Sequence, residues 1–142
     1  MTKQCLIKGE AYKDERGTVS FINAFNMSEV VRLYEIAPKD QLGIRAWQGH
    51  RFEKKWFYCI SGSFVINIIK LDDFHSPSQD LVPERIVLQS IYPEILSVPN
   101  GFVTGIKAIA PNSRLQIFSN FDLGESQQDD YRFPLDQWSA KW

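Results

Sequence analysis

The side chains best suited to chemistry lie between Arg45 and Trp56, directly before a run of apolar residues predicted to form buried β-structure. This segment contains two arginines, two lysines, a histidine, a glutamine and a glutamate. His50 is one of two histidines in the chain, and imidazole titrates near neutral pH, which suits it to proton transfer. Because strand positions hold side chains rigidly, the segment is a candidate site, and any catalysis is expected to pass through His50.

The elements that must position this segment are predicted to be β-strands separated by turns. Residues 61–63, Ser-Gly-Ser, are predicted to join two strands as a hairpin, with glycine supplying an unusual backbone angle. Residues 72–84 form a predicted loop, and a short helix is expected only in the tail 125–142, where Pro134 interrupts it. The predicted strands are 19–25, 31–36, 56–60, 64–69, 86–88, 95–98, 105–110 and 114–121.

The strand pattern also predicts the type of architecture. The strand 64–69 is mostly apolar on both faces, which indicates that it lies between two layers. Many short strands at regular spacing are typical of a sandwich or a small barrel. A length of 142 residues suits one domain spanning 1–142. The chain is therefore predicted to be a single all-β domain.

Composition and charge narrow the functional classes. The net charge of −1 argues against a nonspecific grip on nucleic acid or on an anionic membrane. Residues 1–8 lack the apolar core of a signal peptide, and no apolar run approaches the roughly 20 residues that cross a bilayer. Cys5 and Cys59 are predicted to be free thiols, Cys59 as a core residue. We therefore expect a cytoplasmic protein.

Four segments resemble motifs of a known family. Asp14-Glu15-Arg16-Gly17 is similar to an Asp-x-Arg-Gly segment, and residues 32–36 to an Arg-x-Tyr-Tyr-Ile strand. Residues 45–62 align without gaps to Arg-Gly-x-His-x-His followed by Ile-Ser-Gly-Ser-Phe, and residues 98–106 resemble Ile-Pro-x-Gly-Phe-Ala-His-Gly-Phe. These motifs are those of the cupin-fold enzymes that act on nucleotide-activated 4-keto-6-deoxy sugars. The family includes dTDP-4-dehydrorhamnose 3,5-epimerases and dTDP-sugar 3,4-ketoisomerases.

The resemblance implies a fold and an activity. The fold would be a cupin, that is, a double-stranded β-helix or small jelly-roll barrel, in a homodimer whose N-terminal strand and its arginine reach the neighbouring subunit. The activity would be that of a cofactor-independent isomerase or epimerase that moves protons on a dTDP-linked 4-keto-6-deoxy sugar, in deoxysugar and polysaccharide biosynthesis. The alternative is a cupin that still binds a sugar or sugar nucleotide but has lost catalysis.

The resemblance also implies roles for individual residues. His50 would be the base that removes a proton beside the ketone, Lys55 would place a cation against the enolate oxygen, and Tyr34 would return the proton. Arg16 and Arg45 would clamp the diphosphate through paired hydrogen bonds. The other candidate substrate contacts are Gln48, Thr104 and a stacking aromatic, which would be Trp47, Phe57 or Trp56.

The departures from the motifs leave alternatives open. Gln48 stands where the ketoisomerases have a second histidine, and Thr104 stands where the epimerase turn has one. The epimerase tyrosine is missing from strand 114–121, which favours the non-catalytic alternative. One histidine and a carboxylate such as Glu53, with lysine nearby, are too few ligands for a tight metal site, so a metal-free pocket is expected.

Each candidate also has a structural interpretation that does not involve catalysis. His50 and Tyr34 could be packed residues, and Lys55 could belong to a solvated face. Arg16 could serve only the hydrogen bonds of its turn, and Thr104 could satisfy nearby backbone groups.

Overall fold

A computed structural model of the chain describes residues 6–142, so Cys5 lies outside the described residues. Strands dominate the described part, and its helical segments lie near the C-terminal end. The all-β prediction is confirmed. The elements are β1 (Leu6–Lys8), β2 (Glu10–Asp14), β3 (Gly17–Phe21), β4 (Arg32–Ile36), β5 (Ile44–His50), β6 (Lys55–Ser61), β7 (Ser63–Lys70), β8 (Glu84–Gln89), β9 (Glu94–Val98), β10 (Phe102–Ala108), β11 (Arg114–Ser119), α1 (Leu123–Gln127) and β12 (Tyr131–Arg132), with a 3₁₀ turn at Leu135–Gln137.

The strands form two antiparallel five-stranded sheets. The first has the order β1-β9-β6-β11-β4, and the second has the order β12-β5-β10-β7-β8. Strands β2 and β3 pair with each other as a separate two-stranded ribbon. Apolar side chains of β6 and β11 in the first sheet pack against those of β7 and β10 in the second, so the core lies between the sheets.

The predicted hairpin across residues 61–63 is wrong. Strand β6 pairs with β9 and β11, whereas β7 pairs with β8 and β10, so the two strands belong to different sheets. Gly62, at φ 72°, turns the chain from one sheet to the other, and a Cβ there would lie 2.8 Å from the Cα of Ser113. Glycine marks a turn as predicted, but a turn sequence does not distinguish a hairpin from a corner between sheets.

Strand β7 is buried on both faces, as predicted. Phe64, Ile66 and Ile68 point into the core between the sheets. On the opposite face, Ile69 packs in a second apolar cluster, and the Asn67 side chain donates to the carbonyl of Lys141 at 2.9 Å. The C-terminal residues therefore cover the outer face of the second sheet.

Some element ends differ from the predicted ones, because residues 22–25 form a turn and residues 102–104 after the Pro-Asn-Gly turn are already extended. The strand predicted at 19–25 ends at Phe21, and the one predicted at 105–110 begins at Phe102. The tail does contain a short helix, capped by reciprocal hydrogen bonds between Asp122 and Glu125. The predictions missed strands β1, β2, β5 and β12.

Two further observations bear on the composition arguments. Cys59 is a free, buried thiol, and burial raises its pKa to about 11, in line with its predicted core position. Among the described residues, no helix is both long enough and apolar enough to cross a membrane.

Candidate functional site

A cavity of about 1010 Å³ opens between the two sheets on the side closed by α1 and β12. Its floor is apolar, with Phe57 and Ile117 contributed by the first sheet. A second cavity of about 700 Å³ adjoins it and shares Arg45 and Ile106 with it. Polar and charged residues dominate the rest of the main cavity wall: Arg32, Tyr34, Glu35, Arg45, Gln48, Lys55, Thr104, Ser126, Gln127, Asp130 and Arg132.

His50 lies at the end of β5 with its imidazole buried. Its Nδ1 lies 2.7 Å from the carbonyl oxygen of Asp129. Because a carbonyl can only accept, Nδ1 carries the proton and Nε2 keeps its lone pair when the ring is neutral. Burial, followed by the nearby Lys55 charge, lowers the pKa of His50 below its ordinary value. The ring is thus held as a neutral base at physiological pH.

The Nε2 atom of His50 is buried and lacks a hydrogen-bond partner among the described residues. His50 itself is not among the residues that line the cavity. A buried polar atom without a partner is uncommon, because its desolvation is uncompensated. Nε2 is therefore free to accept a hydrogen bond from a water molecule or a ligand.

Lys55 and Tyr34 line the cavity together. The ammonium of Lys55 lies 2.9 Å from the Tyr34 hydroxyl, and the two residues stand on β6 and β4, the strands on either side of β11 in the first sheet. Burial lowers the pKa of Lys55 to about 8 and raises the pKa of Tyr34 to about 12. Near neutral pH Tyr34 therefore keeps its proton, and Lys55 is cationic but close to its titration point. The pair can supply two hydrogen-bond donors to an oxygen in the cavity.

Glu53 is a buried carboxylate that the sequence analysis considered only as a metal ligand. It is 1% exposed and accepts hydrogen bonds from Arg32 at 3.0 Å and from Ser126 at 2.7 Å, with a third from Ser119. Its Oε1 also lies 3.2 Å from Nδ1 of His50. Glu53 therefore links His50 to strands β4 and β11 and to α1.

The segment after α1 completes the site. The buried carboxylate of Asp129 accepts the backbone N–H groups of Arg51, Phe52 and Glu53, each at 2.8 Å, and so fixes the turn that follows His50. Of the residues that follow, Asp130 and Arg132 line the cavity wall. The sequence motifs did not single out this segment. Its local signal is a run of charged and aromatic residues in the C-terminal tail.

Gln48 and Thr104 lie opposite each other on the paired strands β5 and β10, and both line the cavity. Gln48 donates to Asp130 at 3.1 Å, and Asp130 also pairs with Arg132 at 2.9 Å. Arg45 is exposed and borders both cavities, so its guanidinium is available at the entrance. These residues share the cavity with Lys55 and Tyr34.

Arg16 is not brought to this cavity within its own chain. It sits in the turn between β2 and β3, where its 82% exposed side chain pairs with Asp14 at 2.6 Å. The pair holds the pKa of Asp14 below its usual range. The structure therefore does not bring Arg16 together with the other candidate site residues.

The expectation that Trp47 stacks on a ligand is not supported by its packing. Although β5 borders the cavity there, the indole is 1% exposed, packs on Trp138 and Trp142, and donates to the carbonyl of Leu135. Trp56 is likewise occupied, against Phe25. Of the three aromatic candidates, Phe57 faces the cavity, and its ring forms part of the apolar floor.

Within residues 6–142, no group of three or more His, Cys, Asp or Glu side chains is placed to hold a metal ion. His50 and Glu53 approach each other, but Arg32 and Lys55 add positive charge beside them. The metal-free pocket remains a prediction.

The chain matches no protein-family model and no curated protein. Solved structures do match. A histidine-to-asparagine mutant of a 3,4-ketoisomerase from Thermoanaerobacterium thermosaccharolyticum, in complex with TDP-4-keto-6-deoxyglucose, is 18% identical with a TM-score of 0.68, over 90% of this chain and 86% of that chain. A dTDP-4-dehydrorhamnose 3,5-epimerase from Bacillus anthracis, with TDP and PPi bound, is 14% identical with a TM-score of 0.73, over 92% of this chain and 78% of that chain.

A third match is a double mutant of a 3'-monoepimerase from Streptomyces bikiniensis in complex with dTDP. It is 9% identical, with a TM-score of 0.77, over 96% of this chain and 73% of that chain. Likeness of this extent at such low identity establishes a shared fold and nothing beyond it. Function resides in the site, and sites differ among proteins of one fold. The cupin fold expected from the sequence is thereby confirmed.

Proposed function

We propose that the protein is an isomerase or epimerase that transfers protons on a nucleotide-linked 4-keto-6-deoxy sugar. The observation that carries the proposal is the cluster of His50, Lys55 and Tyr34 on inward-facing positions of the two sheets. Solved structures with the same fold include a ketoisomerase and an epimerase bound to TDP or a TDP-sugar. Their ligands define the substrate class proposed here, a dTDP-linked 4-keto sugar.

His50 removes the proton from the carbon beside the ketone in this proposal. A proton at that position is weakly acidic, so the reaction needs a base near its own pKa at working pH and stabilisation of the enolate. The bond from Nδ1 to the Asp129 carbonyl leaves Nε2 as the basic atom. The low pKa of the buried ring keeps it unprotonated at neutral pH.

Lys55 and Tyr34 stabilise the enolate and return the proton in this scheme. The Lys55 ammonium supplies positive charge in a cavity with an apolar floor, where preorganised charge is worth several kcal/mol. Tyr34 is protonated up to a pKa of about 12, so its hydroxyl is available as a donor over the whole working range. The choice between isomerisation and epimerisation depends on which face receives the proton.

The entrance binds the nucleotide part. Arg45 borders both cavities and Arg132 lies on the wall beside it, and guanidinium groups pair with diphosphate oxygens through two bonds. Gln48 and Thr104 contact the sugar from neighbouring positions on the paired strands β5 and β10. We also propose a cytoplasmic homodimer in which Arg16, exposed on the β2–β3 ribbon, reaches the cavity of the neighbouring subunit.

Proton exchange measured by NMR tests the proposal directly. The protein is incubated in deuterated water with dTDP-4-keto-6-deoxyglucose, and deuterium entry at C3, or at both C3 and C5, is followed over time. We expect His50→Asn to lower exchange by about 100-fold or more, the usual loss for a general base. The matched control is His75→Asn, because His75 is exposed and outside the cavity. Full exchange in the His50 variant would refute the assignment of the base.

A non-catalytic sugar-nucleotide binder is the second candidate. The enclosure of His50 Nε2 favours it, because a base that does not reach the cavity surface cannot touch a substrate. The same NMR sample distinguishes the two. Line broadening of the nucleotide without deuterium entry would identify a binder, whereas exchange requires that the ring be reached in the complex.

A further inference from the structure

Glu53 is placed to act through His50 rather than on the substrate. The residue is buried, and it is not among the residues that line the cavity. Its two oxygens face Arg32, Ser119, Ser126 and Nδ1 of His50. The guanidinium of Arg32, which can only donate, pairs with one of these oxygens at 3.0 Å. The surroundings of Glu53 are therefore those of a carboxylate.

We propose that Glu53 is a positioning residue, whose carboxylate keeps Nδ1 of His50 protonated and thereby reserves the Nε2 lone pair for the substrate. The Nδ1 proton is donated to the Asp129 carbonyl at 2.7 Å, and Oε1 of Glu53 lies 3.2 Å from the same nitrogen, close enough to pair with the charged ring. The carbonyl fixes the direction of the bond, and the carboxylate adds negative charge that stabilises the imidazolium formed when the ring takes up a proton.

The other charged groups around the ring cannot replace Glu53. The carboxylate of Asp129 is engaged by three backbone N–H groups of the following turn. Lys55, on β6, opposes protonation of His50, and Arg32, on β4, is paired with Glu53 itself. Asp130, on the cavity wall, is held by Gln48 and Arg132. Glu53 is thus the carboxylate that contacts the ring.

The test has a readout that needs no substrate. Protein with ¹⁵N-labelled histidine is titrated by NMR, and the nitrogen shifts report the tautomer and pKa of His50. A His75→Asn background removes the signals of the other histidine. In wild type we expect the Nδ1–H form to dominate. Glu53→Gln should lower the pKa of His50 further and reduce the population of that form, whereas the control Glu29→Gln, at an exposed ion pair with Lys54, should change neither.

A second variant separates this electrostatic role from simple loosening of the fold. Ser126 donates to the same Oε1 atom that lies near His50, so Ser126→Ala leaves that oxygen with more negative charge for the ring. We expect the pKa of His50 to rise in this variant, opposite to the change in Glu53→Gln. If Glu53→Gln does not fold, Ser126→Ala decides the matter alone. An unchanged or lowered His50 pKa in Ser126→Ala would overturn the proposal.

The catalytic consequence of this positioning role rests on the proposed function. In the exchange assay Glu53→Gln should reduce turnover at saturating substrate at least about tenfold with little change in KM, since loss of a histidine-orienting carboxylate in a catalytic triad costs considerably more. If the wild type shows no exchange but the histidine titration behaves as expected, the proposed function fails while the role of Glu53 stands. An unchanged His50 tautomer and pKa in folded Glu53→Gln would refute the role of Glu53 whatever the activity.

Discussion

The burial of Lys55 destabilises the folded state, so replacing this residue with methionine is expected to stabilise the protein at neutral pH. Burial lowers its pKa from 10.5 to about 8. At about 1.4 kcal/mol per pKa unit, the charged side chain costs the fold about 3 kcal/mol at pH 7. Lys55→Met also removes the donor to the Tyr34 hydroxyl, a loss of about 1 kcal/mol. The expected net gain at pH 7 is therefore about 2 kcal/mol.

The pH dependence of this gain follows from the direction of the shift. The folded state releases the Lys55 proton near pH 8, whereas the unfolded chain keeps it until about pH 10.5. The penalty is therefore complete below pH 8, declines between these two values, and is absent above the higher one. Between pH 7 and pH 9.5 the wild type should gain about 2 kcal/mol relative to Lys55→Met.

Urea denaturation at pH 7 and pH 9.5 measures both quantities, because linear extrapolation gives the unfolding free energy at each pH. Lys54→Met is the matched control, because the Lys54 side chain is 40% exposed and its ammonium pairs with Glu29 at the surface. An exposed pair of this kind contributes under about 1 kcal/mol, so the control should change stability little at either pH. A Lys55→Met variant that is less stable than wild type at pH 7, or a difference that does not vary with pH, would refute the reasoning.

Three further changes test other features of the structure. Asp129→Ala leaves one buried and two partly buried N–H groups without their acceptor, and an unsatisfied buried donor costs about 1–3 kcal/mol, so urea denaturation should show a loss of about 2 kcal/mol or more; a loss below about 1 kcal/mol would contradict this role of Asp129. Gly62→Ala should cost about 1–3 kcal/mol and lower the Tm, because a Cβ at φ 72° meets Ser113; an unchanged Tm would mean that the corner tolerates a side chain. In a Cys5→Ser background, Cys59 should be alkylated at pH 8 about 100-fold more slowly in the folded protein than in urea, because burial raises its thiol pKa from 9.0 to about 11; equal rates would place the thiol at the surface.

Strands with a clear apolar pattern could be predicted from the sequence, and β5 could not. In β7, Phe64 and Ile66 face the core and Ile69 packs in the outer cluster, so a continuous apolar run marks the strand. In β5 the pattern is reversed. Gln48 and His50 face the interior, while Trp47 faces the outer cluster beneath the C-terminal residues. Polar site residues at interior positions break the alternation by which a strand is recognised, so the functional strand is the one that a hydrophobic pattern misses.

The sequence identified candidate site residues only where they lie inside a short motif segment. His50, Lys55 and Tyr34 stand in segments that resemble a family, and the structure places them around one region. Asp129 and Arg132 lie about eighty residues further along the chain than the His50 segment they contact or flank. A carboxylate in a polar tail has no periodicity and no motif, and its acceptor role is defined only once the backbone that it caps has folded.

The connection between these distant segments explains why the polar site can be buried at all. Glu53 and His50 would be costly in an apolar core, because an unpaired buried charge loses its hydration. Asp129 offsets part of that cost by satisfying the turn between them, and Ser126, on α1, supplies a hydrogen bond to Glu53. The C-terminal segment therefore holds the histidine–carboxylate pair in place. A mutation at Asp129, which does not line the cavity, should alter the ionisation of His50 in the ¹⁵N-histidine titration.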